Sequence, residues 1–218
     1  MISFEEYKVG EGLYTARDIA TILNLPNSRV RYWLSKYARE KLPSITGYIY
    51  NFEQEKGVYV NFKMFLQIYV FTELRKKGHS NNNILKMYEA ISTRYDTDYP
   101  FADYKVLSVG SKLMLEDGED IFDSKMQLSL KDILKSYIER IEFDNKGLAI
   151  RYFPLGKEKS IVVDPQIQNG SPTIKGTRIN AKTIFLLHEA GDSIKDISYH
   201  YDISEEEIKD AIDFSRAA

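Results

Sequence analysis

The sequence predicts a mainly α-helical protein with small β elements (α+β), a winged helix-turn-helix at its front and a three-helix, helix-turn-helix-like domain at its end. Three observations lead there. Residues 14–39 carry two short helical stripes broken by Asn24-Leu25-Pro26. Residues 47–62 read as two β-branched and aromatic runs around a glycine-containing turn. Residues 180–215 hold three helix-start signals in series, at Asn180, Ser193 and Ser204. A length of 218 residues, with 43% apolar and 28% charged residues, suits a globular chain of more than one domain that buries a core without metal or disulfide. The expected division is 1–95, 96–160 and 161–218.

Composition narrows the function. Cysteine is absent, which excludes disulfides, thiolate chemistry and Cys-containing zinc sites, and the three histidines (His79, His188, His200) do not form an HExxH spacing. The sequence offers no paired nucleophile and base, no glycine-rich phosphate loop and no metal-ligand spacing, so neither an enzyme nor a bound metal or cofactor is expected. No apolar run reaches the roughly 18 residues of a membrane span. Met1-Ile2-Ser3-Phe4-Glu5-Glu6 lacks the basic start and apolar stretch of a signal peptide, so the expected location is cytoplasmic, without membrane contact.

Charge is distributed unevenly. Residues 1–80 carry 12 Lys and Arg against 8 Asp and Glu, residues 81–149 carry 9 against 13, and residues 150–218 carry 9 against 11. A basic front on an otherwise acidic chain points to a polyanion met by the front alone.

In the front, Thr15 is an N-cap with Asp18 three residues on, and Ala16, Ile19, Ala20 and Leu23 share one helical stripe. Asn24-Leu25-Pro26 ends that helix, and Asn27 or Ser28 is expected to cap a second. There Val30, Trp33, Leu34 and Tyr37 turn inward while Ser28, Arg31, Tyr32, Ser35 and Arg39 lie opposite, flanked by Arg29 and Lys36. Two short helices with a tight turn and a basic second helix define a helix-turn-helix. Arginines early in such a helix reach guanine edges bidentately, while Ser, Tyr and Lys suit phosphates. The candidate DNA-binding residues are Thr15, Asn27, Ser28, Arg29, Arg31, Tyr32, Lys36 and Arg39. The alternative is an amphipathic helix pair with a solvated basic face. The hairpin that follows is either a wing, with Lys56 at its tip as a phosphate contact beside Glu53 and Glu55, or purely structural.

Residues 62–77 are apolar on nearly every side and require cover on more than one face. Arg75-Lys76-Lys77-Gly78 closes that helix, and Ser80 opens another with Ile84, Tyr88, Ile91 and Tyr95 on its buried side. Residues 104–116 read as a hairpin, and the acidic 116–120 run lacks EF-hand spacing, which leaves a solvated turn. Leu130, Ile133, Leu134, Tyr137, Ile138 and Ile141 form a helical stripe, followed by two strands around Asp144-Asn145-Lys146-Gly147.

Residues 161–165 read as a short buried strand stopped at Pro165, and residues 169–179 are punctuated by glycine and proline and are not helical. Three helices follow: one from Asn180 to Ala190 stopped by Gly191, one from Ser193 with Ile194 and Ile197, and one opened by a Ser204–Glu207 capping box with Ile208, Ala211 and Ile212 inward. The last begins Glu205-Glu206-Glu207 and adds Asp210, negative charge that suits the helix dipole but repels phosphates. This region is therefore expected to bind protein or to dimerise.

Asp164-Pro165, the string Gly170-Ser171-Pro172-Thr173-Ile174-Lys175-Gly176-Thr177-Arg178-Ile179, and Gly191-Asp192-Ser193 resemble the small tri-helical domain of VapB-type antitoxins. The front is similar in outline to the MerR-like winged helix-turn-helix joined to that domain in longer antitoxins. One departure is His200-Tyr201-Asp202, where the family often has proline after the aromatic. The resemblance spans residues 14–90 and 160–218. It implies a type II antitoxin that silences a cognate toxin, a PIN-like ribonuclease, and represses its own operon as a homodimer on operator DNA. Lys175, Arg178 and Arg216 are then the toxin-binding candidates, an arginine entering the acidic site of such a nuclease. Asp164, Pro165, Gly170, Pro172, Gly176 and Thr177 are structural motif positions, with a positive φ expected at Gly176. The other reading of Arg178 is local: it pairs with Asp164 or bonds backbone carbonyls. The alternative function is a ligand-responsive MerR-like transcription regulator without a toxin, its effector pocket lined by Tyr95, Tyr99, Phe101 and Tyr104.

Overall fold

A computed structural model describes residues 10–38, 49–50, 59–103, 135 and 137–217, with backbone alone at 36–38, 49 and 50. The chain has a mixed α/β fold of several helices and small antiparallel sheets. It divides into two compact units: the described residues up to Phe62 together with those from Arg151 onward, and Lys63–Ile150. These divisions fall at 62 and 150, whereas the sequence suggested 95 and 160.

In the first unit, β1 (Tyr14–Thr15) leads directly into α1 (Ala16–Leu23). The capping box forms: Thr15 N–H donates to Asp18 Oδ2 at 2.8 Å and Asp18 N–H to the Thr15 hydroxyl at 3.2 Å. Asn24 takes the left-handed conformation that ends the helix (φ 49°), and Leu25 N–H closes back on the Ala20 carbonyl at 2.8 Å. Helix α2 (Asn27–Tyr32) starts one step earlier than expected. Its cap position is Pro26, without a side-chain bond, and Asn27 is already helical, which corrects the expected Asn27 or Ser28 cap. Pro26 presets φ at −59° and its carbonyl accepts Arg29 N–H at 3.0 Å, so the turn needs no polar cap. A wider π-type turn, Trp33–Ala38, continues the helix.

Strands β2 (Ile49–Tyr50) and β3 (Tyr59–Val60) pair as the two β-branched and aromatic runs suggested, and β1 adds to the other edge of β3. The register places Tyr14 and Ile49 opposite Val60. Local sequence did not signal β1, because two residues show no alternation.

The remainder of the first unit is built on β6 (Ile161–Val163). Tyr152, the last residue of β5 (Ala149–Tyr152), pairs with Val163 on one side. β7 (Pro172–Ile174) runs antiparallel on the other, with Ile161 opposite Ile174. Helices α5 (Ala181–Glu189), α6 (Ile194–Tyr201) and α7 (Glu205–Ala217) cover it. Their starts are fixed by Asn180, Ser193 and the Ser204–Glu207 box, where Ser204 N–H donates to Glu207 Oε2 at 2.7 Å. Ile161, Ile174, Ile184, Ile197, Ile208 and Ile212 close the core, Phe214 beside them. Between β6 and β7 lies one tight turn, Gln168–Gly170, whose residues all have positive φ, so the stretch is not helical, as its glycine and proline suggested.

The second unit centres on α3 (Phe62–Lys76), buried on nearly all sides as its composition requires: Met64, Phe65, Leu66, Val70 and Leu74 have no exposed surface. Gln67 is equally enclosed, and its carbonyl oxygen accepts Phe101 N–H at 3.2 Å. Ser80 caps α4 (Asn81–Tyr95) by accepting Asn83 N–H at 3.2 Å. Residues 137–140 are helical, and Tyr137 is fully buried, stacked on Tyr69 and donating its hydroxyl to the Phe101 carbonyl. Two members of the expected stripe are placed differently. Ile138 is 45% exposed, and Ile141 opens β4 (Ile141–Phe143), since the helix ends at Arg140 before the pattern does. In the turn after β4, Asp144 Oδ1 accepts Leu148 N–H at 2.9 Å and Lys146 N–H at 2.8 Å, with Leu148 the larger influence holding this carboxyl below its usual range. The expected 104–116 hairpin, the acidic 116–120 turn, and Leu130, Ile133 and Leu134 lie outside the described residues.

Candidate functional site

Two groups of residues carry the functional argument, both in the first unit. On α2, Val30 is 2% exposed and is followed inward by Trp33 at 7% and Leu34 at 2%. This anchorage turns Asn27, Ser28, Arg29, Arg31 and Tyr32 to solvent, with Ser35 on the next turn donating to the Tyr32 carbonyl at 3.2 Å. The exposed face thus presents two guanidinium groups, a hydroxyl, an amide and a half-exposed phenol, all donors, with no carboxylate in α2. Thr15 differs in kind: its hydroxyl donates to Asp18 Oδ2 at 2.7 Å while accepting Asp18 N–H, so it is occupied as a cap. Lys36 lies in the π-type turn with only its backbone described; Arg39 and Lys56 lie outside the described residues.

The second group is the segment from Asp164 to Ile179. Asp164 is 4% exposed. Its Oδ1 accepts Gln166 N–H at 2.9 Å, which shapes the turn at Pro165, and its Oδ2 accepts Arg151 Nε at 2.7 Å. Asp164 is thus paired with Arg151, which rules out the Asp164 pairing that was one of the local alternatives for Arg178. Arg151 is the penultimate residue of β5, the strand beside the one that leads into Asp164, whereas Arg178 follows the β7 turn and is exposed. The Arg178 carbonyl accepts Gln168 Nε2 at 3.3 Å, and its guanidinium has no partner among the described residues. Thr177 locks the turn beneath it, donating to the Ile174 carbonyl at 2.8 Å and accepting Ile179 N–H at 3.0 Å. Gly176 has φ +80°, as expected, and a Cβ there would meet nothing within 4 Å. Pro172 begins β7 opposite Val163.

Lys175 is exposed, with its ammonium 5.5 Å from the centre of the Phe153 ring. Arg216 reaches Glu189 at 3.8 Å, both side chains more than half exposed, a geometry that contributes little to stability. Tyr199 at 85% exposure and Leu186 at 54% present apolar surface on α6 and α5.

Sequence reasoning missed Arg151 and the Lys159–Asp210 pair. Asp210, on α7, is 4% exposed and accepts Lys159 Nζ and Ser160 N–H, both at 2.9 Å. Burial alone pushes its carboxyl up; the bonds from Lys159 and Ser160 outweigh that and leave it below the usual range. Asp210 is therefore not part of the phosphate-repelling charge with which the sequence grouped it, because its carboxylate is turned inward and paired. Of the aromatics considered for an effector pocket, Tyr99 and Phe101 are buried, Phe101 edge-on to Tyr88 at 5.4 Å, and Tyr104 lies outside the described residues. Among the described residues no three His, Asp or Glu side chains gather as metal ligands, and no helix is long and apolar enough to cross a membrane.

Residues 161–215 match the model of a family described as a protein of unknown function, DUF433. That stretch contains the whole Asp164–Ile179 segment, helices α5 and α6, and α7 as far as residue 215, which leaves Arg216 outside it. The crystal structure of Rv2018 from Mycobacterium tuberculosis resembles this chain with a TM-score of 0.72, covering 91% of this chain and 96% of that one at 16% identity, which shows a common fold. No curated protein matches the sequence.

Proposed function

We propose that this chain is a DNA-binding repressor with a protein partner: a type II antitoxin that binds operator DNA through a winged helix-turn-helix and neutralises a PIN-like ribonuclease toxin through its C-terminal three-helix domain. The observation that carries the reading is the solvent-facing side of α2, where Ser28, Arg29, Arg31 and Tyr32 stand out above buried Val30, Trp33 and Leu34. A short helix after a tight turn, beside a small sheet ordered β1-β3-β2, offers such donors to a major groove with β2 and β3 as the wing. The last helix opens on Glu205, Glu206 and Glu207, which argues against a second DNA-reading helix and for a protein ligand. The likeness of the 170–179 string to VapB-type antitoxins supports the toxin, with exposed Lys175 and Arg178 offered to an acidic nuclease site. Function as a cytoplasmic homodimer on a two-fold operator belongs to the same proposal.

The test is titration of a labelled duplex from the gene's own upstream region, read by anisotropy, with Arg29→Ala and Arg31→Ala variants. Removing one bidentate arginine–guanine pair costs about 1–3 kcal/mol of discrimination. The double variant should bind specific and scrambled duplexes alike, and undiminished preference would refute the assignment of α2. Co-expression with a neighbouring nuclease gene tests the toxin arm: co-purification and restored growth are expected, and a nuclease left free and active would refute it.

A further inference from the structure

We propose that the turn at residues 166–170 is an internal docking socket for the segment Gly10–Tyr14, and that the helix-turn-helix depends on this socket for its stability. The two segments lie far apart in sequence but in the same compact unit. Leu13 N–H donates to the Asn169 carbonyl at 2.9 Å. Gly10 approaches Gln166 closely enough that an added Cβ would touch its Cγ at 3.8 Å. Tyr14, 1% exposed, brings its phenol against Gly170: a Cβ there would fall 1.9 Å from the Tyr14 oxygen and 2.4 Å from Cζ. Gly12 flanks the same ring, where an added Cβ would sit 2.7 Å from Cε2. Both glycines leave room that any side chain would fill.

The turn is shaped for this purpose. Gln168, Asn169 and Gly170 are consecutive left-handed residues, with φ of 51°, 54° and 87°. Asn169 tolerates this conformation, but Gln168 is a residue type that takes it rarely and needs its surroundings to hold it. The conformation turns the Asn169 carbonyl to the Leu13 N–H and the bare Cα of Gly170 to the ring. Gly176, a few residues on, also has a positive φ but faces open space, so its demand is conformational alone. The ligand class is therefore a Gly-x-Gly-x-Tyr strand, read by one backbone bond and one aromatic tip.

The segment's other interactions belong to the helix-turn-helix. Glu11 accepts Phe62 N–H at 2.8 Å, Tyr14 pairs with Val60 and packs its ring 6.4 Å from that of Phe62, and the next residue, Thr15, caps α1. α1 in turn packs on α2. A change at residue 170 therefore reaches the DNA-facing helix through Tyr14, the Thr15 cap and α1.

The single tryptophan reports on this path, because Trp33 is buried in the turn that continues α2. Urea unfolding of the full chain, followed by Trp33 emission, compares wild type with Gly170→Ala, Gly176→Ala, Tyr14→Phe and the Gly170→Ala/Tyr14→Phe pair. Gly170→Ala should raise the unfolding equilibrium constant at Trp33 about tenfold or more, and more than Gly176→Ala, which carries φ strain without the clash. Tyr14→Phe removes the atom nearest the new Cβ and should recover part of that loss in the double variant, so the shifts should not add. Additive shifts, or a Trp33 transition unmoved by Gly170→Ala, would overturn the proposal. If Gly170→Ala yields no folded protein, hydrogen exchange on the wild-type chain decides. A Leu13 amide as protected as those of β6 supports the socket, and one exchanging as fast as an unbonded surface amide refutes it.

Discussion

Removing the Asp210 carboxylate tests what fastens α7 to the start of β6. Asp210 is 4% exposed and serves two donors at 2.9 Å, Lys159 Nζ and Ser160 N–H. In Asp210→Ala the Lys159 side chain, 44% exposed, returns to water, so no unpaired cation is left buried. The Ser160 N–H loses its acceptor, and stranding a donor costs about 1–3 kcal/mol. The expected destabilisation is about 2 kcal/mol, with Asp210→Asn intermediate because it keeps one acceptor oxygen. Urea unfolding followed by circular dichroism measures this as a shift in midpoint at unchanged slope. The pH dependence gives a second reading with a definite sign. Asp210 has a lowered folded pKa, so its contribution is present above the unfolded value of 3.8 and is lost as pH falls through the folded one. Lys159 is raised, chiefly by its bond to Asp210, so its contribution is present below 10.5 and is lost as pH climbs through the higher folded value. Lys159→Met removes the lowering influence of Lys159 and leaves burial opposed only by the Ser160 bonds, so the folded pKa of Asp210 is higher in that variant than in wild type. That variant should be weakened at neutral pH, and its deficit should shrink as pH falls through the folded pKa values of Asp210 in the two proteins. An Asp210→Ala variant within about 0.5 kcal/mol of wild type, or a Lys159→Met variant with the wild-type pH slope, would refute the reasoning.

Thr15→Ala removes a reciprocal cap and should cost about 1 kcal/mol in thermal or urea unfolding, whereas Thr15→Ser should stay within a few tenths. Gly176→Ala should cost about 1 kcal/mol from its positive φ alone, and Gly176→Asn less, because asparagine tolerates the left-handed region. Arg178→Ala should leave stability within about 0.5 kcal/mol of wild type, since the side chain is exposed, while lowering capture of a nuclease partner in a pull-down.

Much of the fold was legible because its punctuation is local. The Thr15–Asp18 and Ser204–Glu207 boxes, Ser80, Asn180 and Ser193 each act within three residues of a helix start, and all of them cap where the sequence placed them. The exposed side of α2 was legible for the same reason, since Val30, Trp33 and Leu34 set its inward face by spacing alone. What escaped depends on distant partners. Asp164 had two eligible arginines, and only strand pairing of Tyr152 with Val163 puts Arg151 beside it. Nothing local marked Tyr14, because its neighbours Gly170 and Val60 come from two other parts of the chain. Ile138 kept the helical period but outlived its use, as the helix stops before the hydrophobic pattern does.

The first unit displays exposed charge of both signs: Arg29 and Arg31 on α2, and Glu205 and Glu206 at the start of α7. Any polyanion should discriminate between them, and salt shows how the arginines are used. Binding a phosphate releases counterions, so each such interaction adds about 0.9 to the slope of log affinity against log salt. If Arg29 and Arg31 both bind phosphates, the double alanine variant should lose about 1.8 from that slope and weaken specific and scrambled duplexes alike. If both read guanine edges, the slope should change less, and the preference for the upstream sequence should collapse instead. Glu205→Gln with Glu206→Gln supplies the opposite control. If that face is turned away from the duplex, as proposed, neutralising it should change the affinity only by the weak, salt-screened effect of distant charge. A large gain in affinity from that variant, with α2 intact, would mean that the acidic helix faces the duplex and that the roles assigned to the two helices are reversed.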